Sequence, residues 1–573
     1  MSKCVRMGLF LLTIAITVSI TAHAGTWTRL KTLPPNYVSS PLLLTDGTVI
    51  VQEVHSGGAG TGIWYRLSPD NTGSYVNGTW SQIASMPSGY APEYYASAVL
   101  PDGRALVEGG EYNGGTQDWT TLGAIYSPTA NTWTSVGPPS GWSTIGDAPS
   151  VVLPNGTFML SNCCSTQNAF FDAANLTWSV APSGIIDDNE SGLTLLPSNN
   201  SLQVSVDNAP ASYLYNYSTE AWVSAGNTPS SLVALCEVGP AVLRADGTVI
   251  AFGATGATAV YSSSGVWTAG TPLPTGYVAQ DVPAALLVSG SVLVAVSYPG
   301  TGTCSSPSYT QHTWFYEFNG SSYALVGGPS GNYPYENRFL ALPDGNILWT
   351  HNSNDVEVYT PSSTVYQSAW QPTISSVAST LVIGSSNNVI QGKQFNGLSQ
   401  DSMYGDDAQM ATNYPMVRIK NNSTGHVFYT RTHGHSSMGV ATGSATVSTD
   451  FDVSGSVESG TSQLYVVANG IPSAPVSVNI TSTCGSPALS CTGVTAGCTV
   501  VKSSITLSCT LPTQISTSTQ ACDGSCATGN GASGVLTTSS ASAGICGNSS
   551  AYCTYNWSIA GQNYSERLNA QVQ

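Results

Sequence analysis

Three observations predict an all-β chain: a seven-bladed β-propeller, then an immunoglobulin-like β-sandwich, then a disulfide-rich tail. A hairpin phrase recurs seven times, it gives way after Tyr359 to a different strand pattern, and eight cysteines crowd the last 90 of 573 residues. Each element is justified below in chain order.

Lys3 and Arg6 precede the apolar run Met7 to Ala22, and Ala22-His-Ala24 before Gly25 offers the small residues a signal peptidase requires. Residues 1–24 therefore read as a secretory signal cleaved near Ala24. The mature chain is expected to be secreted, or periplasmic in a bacterium. A membrane anchor needs about 20 apolar residues, more than this run supplies, and no membrane span is expected in the mature chain.

The propeller is expected over residues 25–368. Its phrase is an apolar triplet, then Asp-Gly or Asn-Gly, then an apolar strand, as in Leu42-Leu-Leu-Thr-Asp-Gly47, Ala98-Val-Leu-Pro-Asp-Gly103 and Val151-Val-Leu-Pro-Asn-Gly156. It returns around Gly247, Gly290 and Gly345, and more weakly at Thr194-Leu-Leu-Pro-Ser-Asn-Asn. Asp-Gly and Asn-Gly supply the positive φ of a tight primed hairpin turn. An aromatic followed by a Trp comes after several of these hairpins, as in Tyr126 to Trp133 and Tyr261 to Trp267, and accounts for two further strands. Four strands every 43 to 56 residues is a propeller signature.

From Trp370 the runs at Ile374, Leu381-Val-Ile, Val417-Arg-Ile, Val427-Phe-Tyr and Leu464-Tyr-Val-Val predict an antiparallel sandwich over residues 369–481. Residues 482–573 are Ser/Thr/Gly/Cys-rich, either a small stapled module or a bridged tail. Without Cys4, twelve cysteines remain, an even number in an exported chain, which points to disulfides. Cys163 and Cys164 form a vicinal disulfide, separate bridges or two buried thiols, and Cys236 and Cys304 pair with each other or stay free.

Charge excludes whole classes of partner. The chain carries 14 Lys and Arg against 31 Asp and Glu, a net charge of −17, and its 8% charged share is about a third of the usual one. A nucleic-acid groove or an anionic-membrane patch has almost nothing to be built from.

Two constellations point to chemistry. Glu93, Asp147, Glu190, Glu237, Asp281 and Glu336 each lie 9 or 10 residues before a hairpin turn, an offset that gathers carboxylates around one mouth of the channel. The alternative is that they accept backbone hydrogen bonds between blades. His433 and His435 are i and i+2 on a strand, so both imidazoles could face one metal, or they form an exposed loop pair. Asp406, Asp407, Tyr404 and Arg431 fall in the same domain and could orient that loop.

The run Tyr94-Tyr-Ala-Ser-Ala-Val-Leu-Pro-Asp-Gly103 through Gly115, with Ala124 to Trp133, resembles kelch blades of the galactose oxidase and glyoxal oxidase superfamily. The blocks from Tyr404 to Met410, Arg431 to His435 and Val467 to Gly470 resemble its C-terminal early-set domain. The resemblance covers residues 27–480. It implies one copper held between two tyrosines and two histidines, with one tyrosine thioether-linked to a cysteine. It places the catalytic tyrosines at Tyr94 and Tyr335, the stacking aromatic at Tyr112, and metal ligands at Tyr94, Tyr335, Glu336 and His433 or His435. Two positions depart from the pattern: Ser40 stands where the thioether cysteine belongs, and Glu336 where a histidine belongs. Serine cannot form the thioether that tunes the radical, and a carboxylate shifts preference from copper towards other divalent metals. Two functions follow as expectations. One is a copper- or other metal-dependent oxidoreductase acting on carbohydrate alcohols or aldehydes, with no organic cofactor. The other is a non-catalytic propeller that binds extracellular carbohydrate, glycoconjugate or protein.

Overall fold

The computed structural model describes residues 25–187, 190–404 and 410–481, and beyond them the backbone of strands between 488 and 569. The described residues form an all-β protein of the β-propeller type: almost wholly antiparallel sheets, two short 3-10 turns and no α-helix.

The hairpin repeats become seven antiparallel sheets among the described residues, each with four strands from inside to outside, the sixth carrying a fifth strand on its inner edge. Their inner strands are Tyr37–Leu43, Ala96–Val99, Ser150–Val152, Leu193–Leu195, Ala241–Leu243, Ala284–Leu286 and Arg338–Ala341. Each inner strand touches the next, and the last touches the first. The last sheet takes its outer strand from the chain start, where Thr26–Arg29 pairs with Glu357–Thr360 and Trp27 lies opposite Tyr359.

The hairpin turn differs from the expected primed form. The Gly103 N–H donates to Leu100 O at 2.8 Å, and of the turn residues only Gly103 is left-handed, with φ +82°. This is a three-residue loop, a type I turn closed by one left-handed residue. Asp belongs there because its carboxylate accepts the N–H two residues on, as Asp102 Oδ1 does from Arg104 at 2.9 Å. In the weak fourth repeat Asn199 takes the left-handed place at φ +69°, a conformation Asn tolerates.

The Trp of the outer strand ties neighbouring sheets together. Trp80, Trp133, Trp178 and Trp222 donate their indole N–H to Thr32 O, Ala84 O, Gly137 O and Pro182 O at 2.7–3.2 Å. Every acceptor lies on the chain leaving the preceding sheet, so the repeated Trp is an inter-sheet clasp.

One core position opposes folding. Glu108 ends the strand Ala105–Glu108 fully buried, with no partner on either carboxylate oxygen. Its carboxylate lies over Gly123, where a Cβ would come within 2.1 Å of it. Burial holds its pKa well above the ordinary value. The folded state thus binds this proton more tightly than the unfolded chain, and stability falls as pH rises above the unfolded value near 4.5. Glu108→Gln is expected to stabilise the chain by about 1–3 kcal/mol at pH 7, vanishing near pH 4, in denaturant titrations at the two pH values.

Residues 373–481 build two sheets around one apolar core that includes Ile390, Phe451, Val417, Leu464 and Ile480. This unit sits on the hairpin-turn end of the propeller-type sheets: Thr45 Oγ1 donates to Thr432 O at 2.6 Å, and Arg431 Nη2 to Asp102 O at 2.6 Å. One of its segments enters the ring of inner strands, Ser402–Met403 pairing with Ala284 and Ala285. In the tail, Ala488–Thr495, Thr499–Thr506 and Val535–Ser542 form one antiparallel sheet, and four further strands between Gln514 and Asn569 form another. The signal segment 1–24 and the pairing of the eight tail cysteines lie outside the described residues.

Candidate functional site

The inner strands begin at the end opposite their turns, and here the predicted tyrosines meet. Tyr94, two residues before Ala96–Val99, has φ +50°, and Glu190, Cys236 and Asp281 at the corresponding level have φ +54°, +64° and +53°. A left-handed bulky residue is costly, and its recurrence at one level is strain that the surrounding structure must hold in place. The Tyr94 ring stands edge-on to Tyr112 at 6.1 Å and to Tyr335 at 6.3 Å between centroids. Tyr335 in turn stacks on Tyr333 at 5.2 Å and meets Tyr309 edge-on at 5.5 Å. Burial, with carboxylate neighbours adding to it, raises the pKa of Tyr94, Tyr112, Tyr309 and Tyr335, so all four phenols stay protonated at neutral pH.

The carboxylates gather with them. Tyr309 OH donates to Glu237 Oε1 at 3.1 Å. Asp281 acts electrostatically on Tyr94, Tyr309 and Tyr335, Glu190 on Tyr309, and Glu93 and Asp147 on Tyr112. The alternative role also appears, since Glu93 accepts the N–H of Gly115 at 2.7 Å and is bonded by that of Gly60 on the adjoining sheet. Glu336 is turned onto its own backbone, accepting from Tyr333 N at 3.0 Å and Asn332 Nδ2 at 3.4 Å.

Arg338, which the repeat register did not single out, lies beneath the tyrosines. It opens the inner strand Arg338–Ala341, is 2% exposed, and holds its guanidinium 3.6 Å from the Tyr404 ring centre and 5.8 Å from that of Tyr94. Its Nη1 donates to Tyr335 O at 2.5 Å and Asn337 O at 2.9 Å, and Tyr404 OH also donates to Tyr335 O, at 3.0 Å. A cation on an inner strand of so cation-poor a chain was the available signal.

The histidines are elsewhere. His433 Nε2 lies 3.1 Å from Asp452 Oδ1, and His435 Nδ1 lies 2.8 Å from Thr449 Oγ1, its ring parallel to Tyr414. Arg431, beside them, grips Asp102, the turn residue of the hairpin whose other end carries Tyr94. The extended strand between puts roughly 20 Å between the two places. The expectation that His433 or His435 joins Tyr94 and Tyr335 is therefore corrected. The segment that enters the ring is Ser402 to Tyr404; the histidine segment pairs with Val447–Phe451 at the turn end.

No protein-family model and no curated protein matches this chain. Solved structures do. A fungal alcohol oxidase of the AA5 family in complex with copper is 14% identical, covering 80% of this chain and 99% of that one, with a TM-score of 0.45. A catalytically inactive virginiamycin B lyase from Staphylococcus aureus, with quinupristin, is 12% identical over 59% of this chain and 99% of that one, at 0.42. An extracellular domain of a one-component system from B. thetaiotaomicron is 11% identical over 79% and 58%, at 0.40. Identities this low say nothing about activity.

The residues present do not fit the copper centre that the resemblance implies. A guanidinium, over the Tyr94 ring and bonded to the Tyr335 backbone carbonyl, lies where imidazoles are required, Glu336 is engaged by its own turn, and Ser40, buried in Tyr37–Leu43, offers no sulfur. Among the described residues no three His, Cys, Asp or Glu side chains converge on one point. Asp406 and Asp407 lie outside the described residues.

Two disulfides shape the rim. Cys163 and Cys164 are bonded to each other, and Cys163 Sγ lies 2.6 Å from where a Cβ on Gly146 would sit, so only glycine fits beside Asp147. Cys236 is bonded to Cys304 on the excursion that delivers Tyr309, fixing that tyrosine relative to Glu237.

Proposed function

We propose that the seven sheets are the blades of an exported propeller of the galactose oxidase-like kind, spanning residues 25–368 with an early-set sandwich over 369–481, and that it binds extracellular carbohydrate at its tyrosine mouth. The observation that carries this is the convergence of Tyr94, Tyr112, Tyr309 and Tyr335, partly exposed, with carboxylates at their edges. Ring faces stack on the C–H faces of a sugar, and carboxylates accept its hydroxyls, which is how a few polar groups orient a ligand in an aromatic-lined site. The two disulfides fit an extracellular setting, and no helix among the described residues is long and apolar enough to cross a membrane.

On a glycan array followed by titration calorimetry, Tyr335→Ala is expected to weaken binding at least tenfold and Tyr335→Phe less than threefold. Equal loss in both variants would contradict stacking. The second reading is a metal-dependent oxidoreductase acting on carbohydrate alcohols or aldehydes, with copper as the metal. It is favoured by the meeting of Tyr94, Tyr112 and Tyr335, the positions that the resemblance assigns. Copper loading is expected to leave less than 0.1 (roughly) equivalent bound after dialysis and no peroxide on galactose or glyoxal-type substrates; one equivalent with peroxide formation would make this second reading the correct one.

A further inference from the structure

We infer that the disulfide between Cys236 and Cys304 is a thiol-exchange site: a dithiol reductant opens it at Cys304, and opening releases the hairpin that holds Tyr309 in the mouth. The exchange site stands on the fold alone. Only its effect on ligand binding rests on the carbohydrate reading above.

Cys236 sits in a two-residue turn made of residues that such turns avoid. Ala234 N donates to Glu237 O at 3.2 Å and Glu237 N to Ala234 O at 3.1 Å, and between them Leu235 and Cys236 are both left-handed, with φ +55° and +64°. A turn of this kind ordinarily takes Asn-Gly or Gly-Gly, because other side chains are costly in that conformation. Leu-Cys persists there only while something outside the turn holds it. Two ties do so: the sulfur bond to Cys304, and Gln280, 1% exposed, whose Nε2 donates to Ala234 O at 3.0 Å.

The other sulfur lies on a hairpin with little else to hold it. Thr301–Thr303 and Ser306–Ser308 pair only with each other among the described residues, and Cys304 is one of the two residues that join them. Every residue from 301 to 308 is exposed. The hairpin is anchored at its feet, where Gly300 N donates to Gln280 Oε1 at 3.1 Å and Tyr309 OH to Glu237 Oε1 at 3.1 Å. A Cβ on Gly300 would lie 3.1 Å from both Leu235 and Tyr309, so the turn and the two feet are packed together. Losing the sulfur bond therefore loosens turn and hairpin at once, and with them the edge contact of Tyr309 with Tyr335.

Exposed or strained disulfides are the exchangeable ones. A thiolate of the reductant attacks Cys304 Sγ, forming a mixed disulfide and expelling Cys236 as a thiolate, which takes up a proton. The second thiol of the reductant then closes its own disulfide and frees Cys304. The protein gains two electrons and two protons, and the dithiol loses them. The bond between Cys163 and Cys164 would free no segment on opening, since its two residues are neighbours in the chain.

The test uses the full mature chain. Brief treatment with 2-mercaptoethanol, a monothiol that halts at the first step, followed by acid quench and peptide mass spectrometry, is expected to place the adduct on Cys304 at least tenfold more often than on Cys236. Hydrogen exchange of residues 232–238 and 300–310 should be at least tenfold faster in Cys236→Ser with Cys304→Ser than in the parent, while the inner strand Ala96–Val99 exchanges as before. Cys236→Gly with Cys304→Ser should slow 232–238 at least threefold relative to the Ser pair, because glycine suits the left-handed place, and leave 300–310 fast. An adduct mainly on Cys236, unchanged exchange in the Ser pair, or equal exchange at 232–238 in the Ser and Gly pairs overturns the inference. A glycan that binds the parent should bind the Ser pair at least fivefold more weakly, and equal binding overturns the link from the bond to the mouth. Failure of every glycan to bind overturns the carbohydrate reading and leaves the exchange site to stand or fall on the adduct and the exchange rates.

Discussion

Lowering the pH from 7 to 4 is expected to cost the folded chain about 2–4 kcal/mol through one side chain, His435. Its pKa is pushed down to about 3, first by burial, then by the neighbouring charges of His433 and Arg431, with Asp102 opposing. Nδ1 is bonded to Thr449 Oγ1, Nε2 is buried with no acceptor for a proton, and the ring faces Tyr414. Because the folded pKa lies below the unfolded value near 6.5, the contribution is whole above pH 6.5 and is lost as the pH falls towards 3. Asp452 behaves differently. Its pKa is lowered despite burial, by bonds from His433 and Arg431, so its share is lost only at and below the ordinary carboxylate range. The two are thus separable by pH. Urea melts between pH 7 and 4 should show the parent chain losing about 2–4 kcal/mol relative to His435→Gln, whose own stability rises on acidification as Glu108 is protonated. Parallel profiles would remove His435 as the cause. The site of failure is the contact between the sandwich and the hairpin turns, where Arg431 and Thr432 hold Asp102 and Thr45.

Arg338→Met is expected to be the most damaging single substitution at the mouth, with a loss of about 3–5 kcal/mol. Replacing a whole buried ionic group by apolar residues is often neutral, but removing one partner leaves the others uncompensated. Here the Asn337 carbonyl loses the guanidinium donor, the Tyr335 carbonyl keeps only the Tyr404 hydroxyl, and Tyr404 loses the cation over its ring. The guanidinium also holds down the pKa of Tyr94 and Glu336, both otherwise raised by burial. Arg338→Lys keeps the charge but cannot place a flat group on Tyr404 while bonding two carbonyls, so it should recover less than half of the loss. A denaturant titration in which the Met variant stays within 1 kcal/mol (about) of the parent would show that the guanidinium is not what organises this floor.

The repeat was legible because each unit writes its turn chemistry into the chain: Asp or Asn for the side-chain bond, Gly for the left-handed residue. Tyr94, Tyr112 and Tyr335 were brought together by the family resemblance, whereas counting back from those turns grouped the carboxylates, since a fixed offset along parallel-running inner strands becomes a common height. The histidines did not follow, for a physical reason. Which sandwich segment enters the ring depends on packing between distant parts of the chain, and the inserted strand, Ser402–Met403, is too short to show a periodicity. Arg338 escaped notice because an inner strand is expected to be apolar, and its burial is tolerable only with Tyr404 brought to it from the other domain. Cysteine pairing was equally open: Cys236 and Cys304 meet only because loops of two neighbouring sheets cross the same rim.

The closure of the last sheet by Thr26–Arg29 has a kinetic consequence. Its partner strand, Glu357–Thr360, lies more than three hundred residues downstream, so the first of the described strands is among the last to find its place. Such non-local pairing is slow. Until it forms, Trp27 stays outside its cage of Phe315, Trp349 and Tyr359, and one sheet edge remains open to pairing with another chain. At high concentration, refolding chains can exchange this strand, each closing its neighbour's ring, so the strand that completes the monomer is also the one through which it would dimerise by swapping.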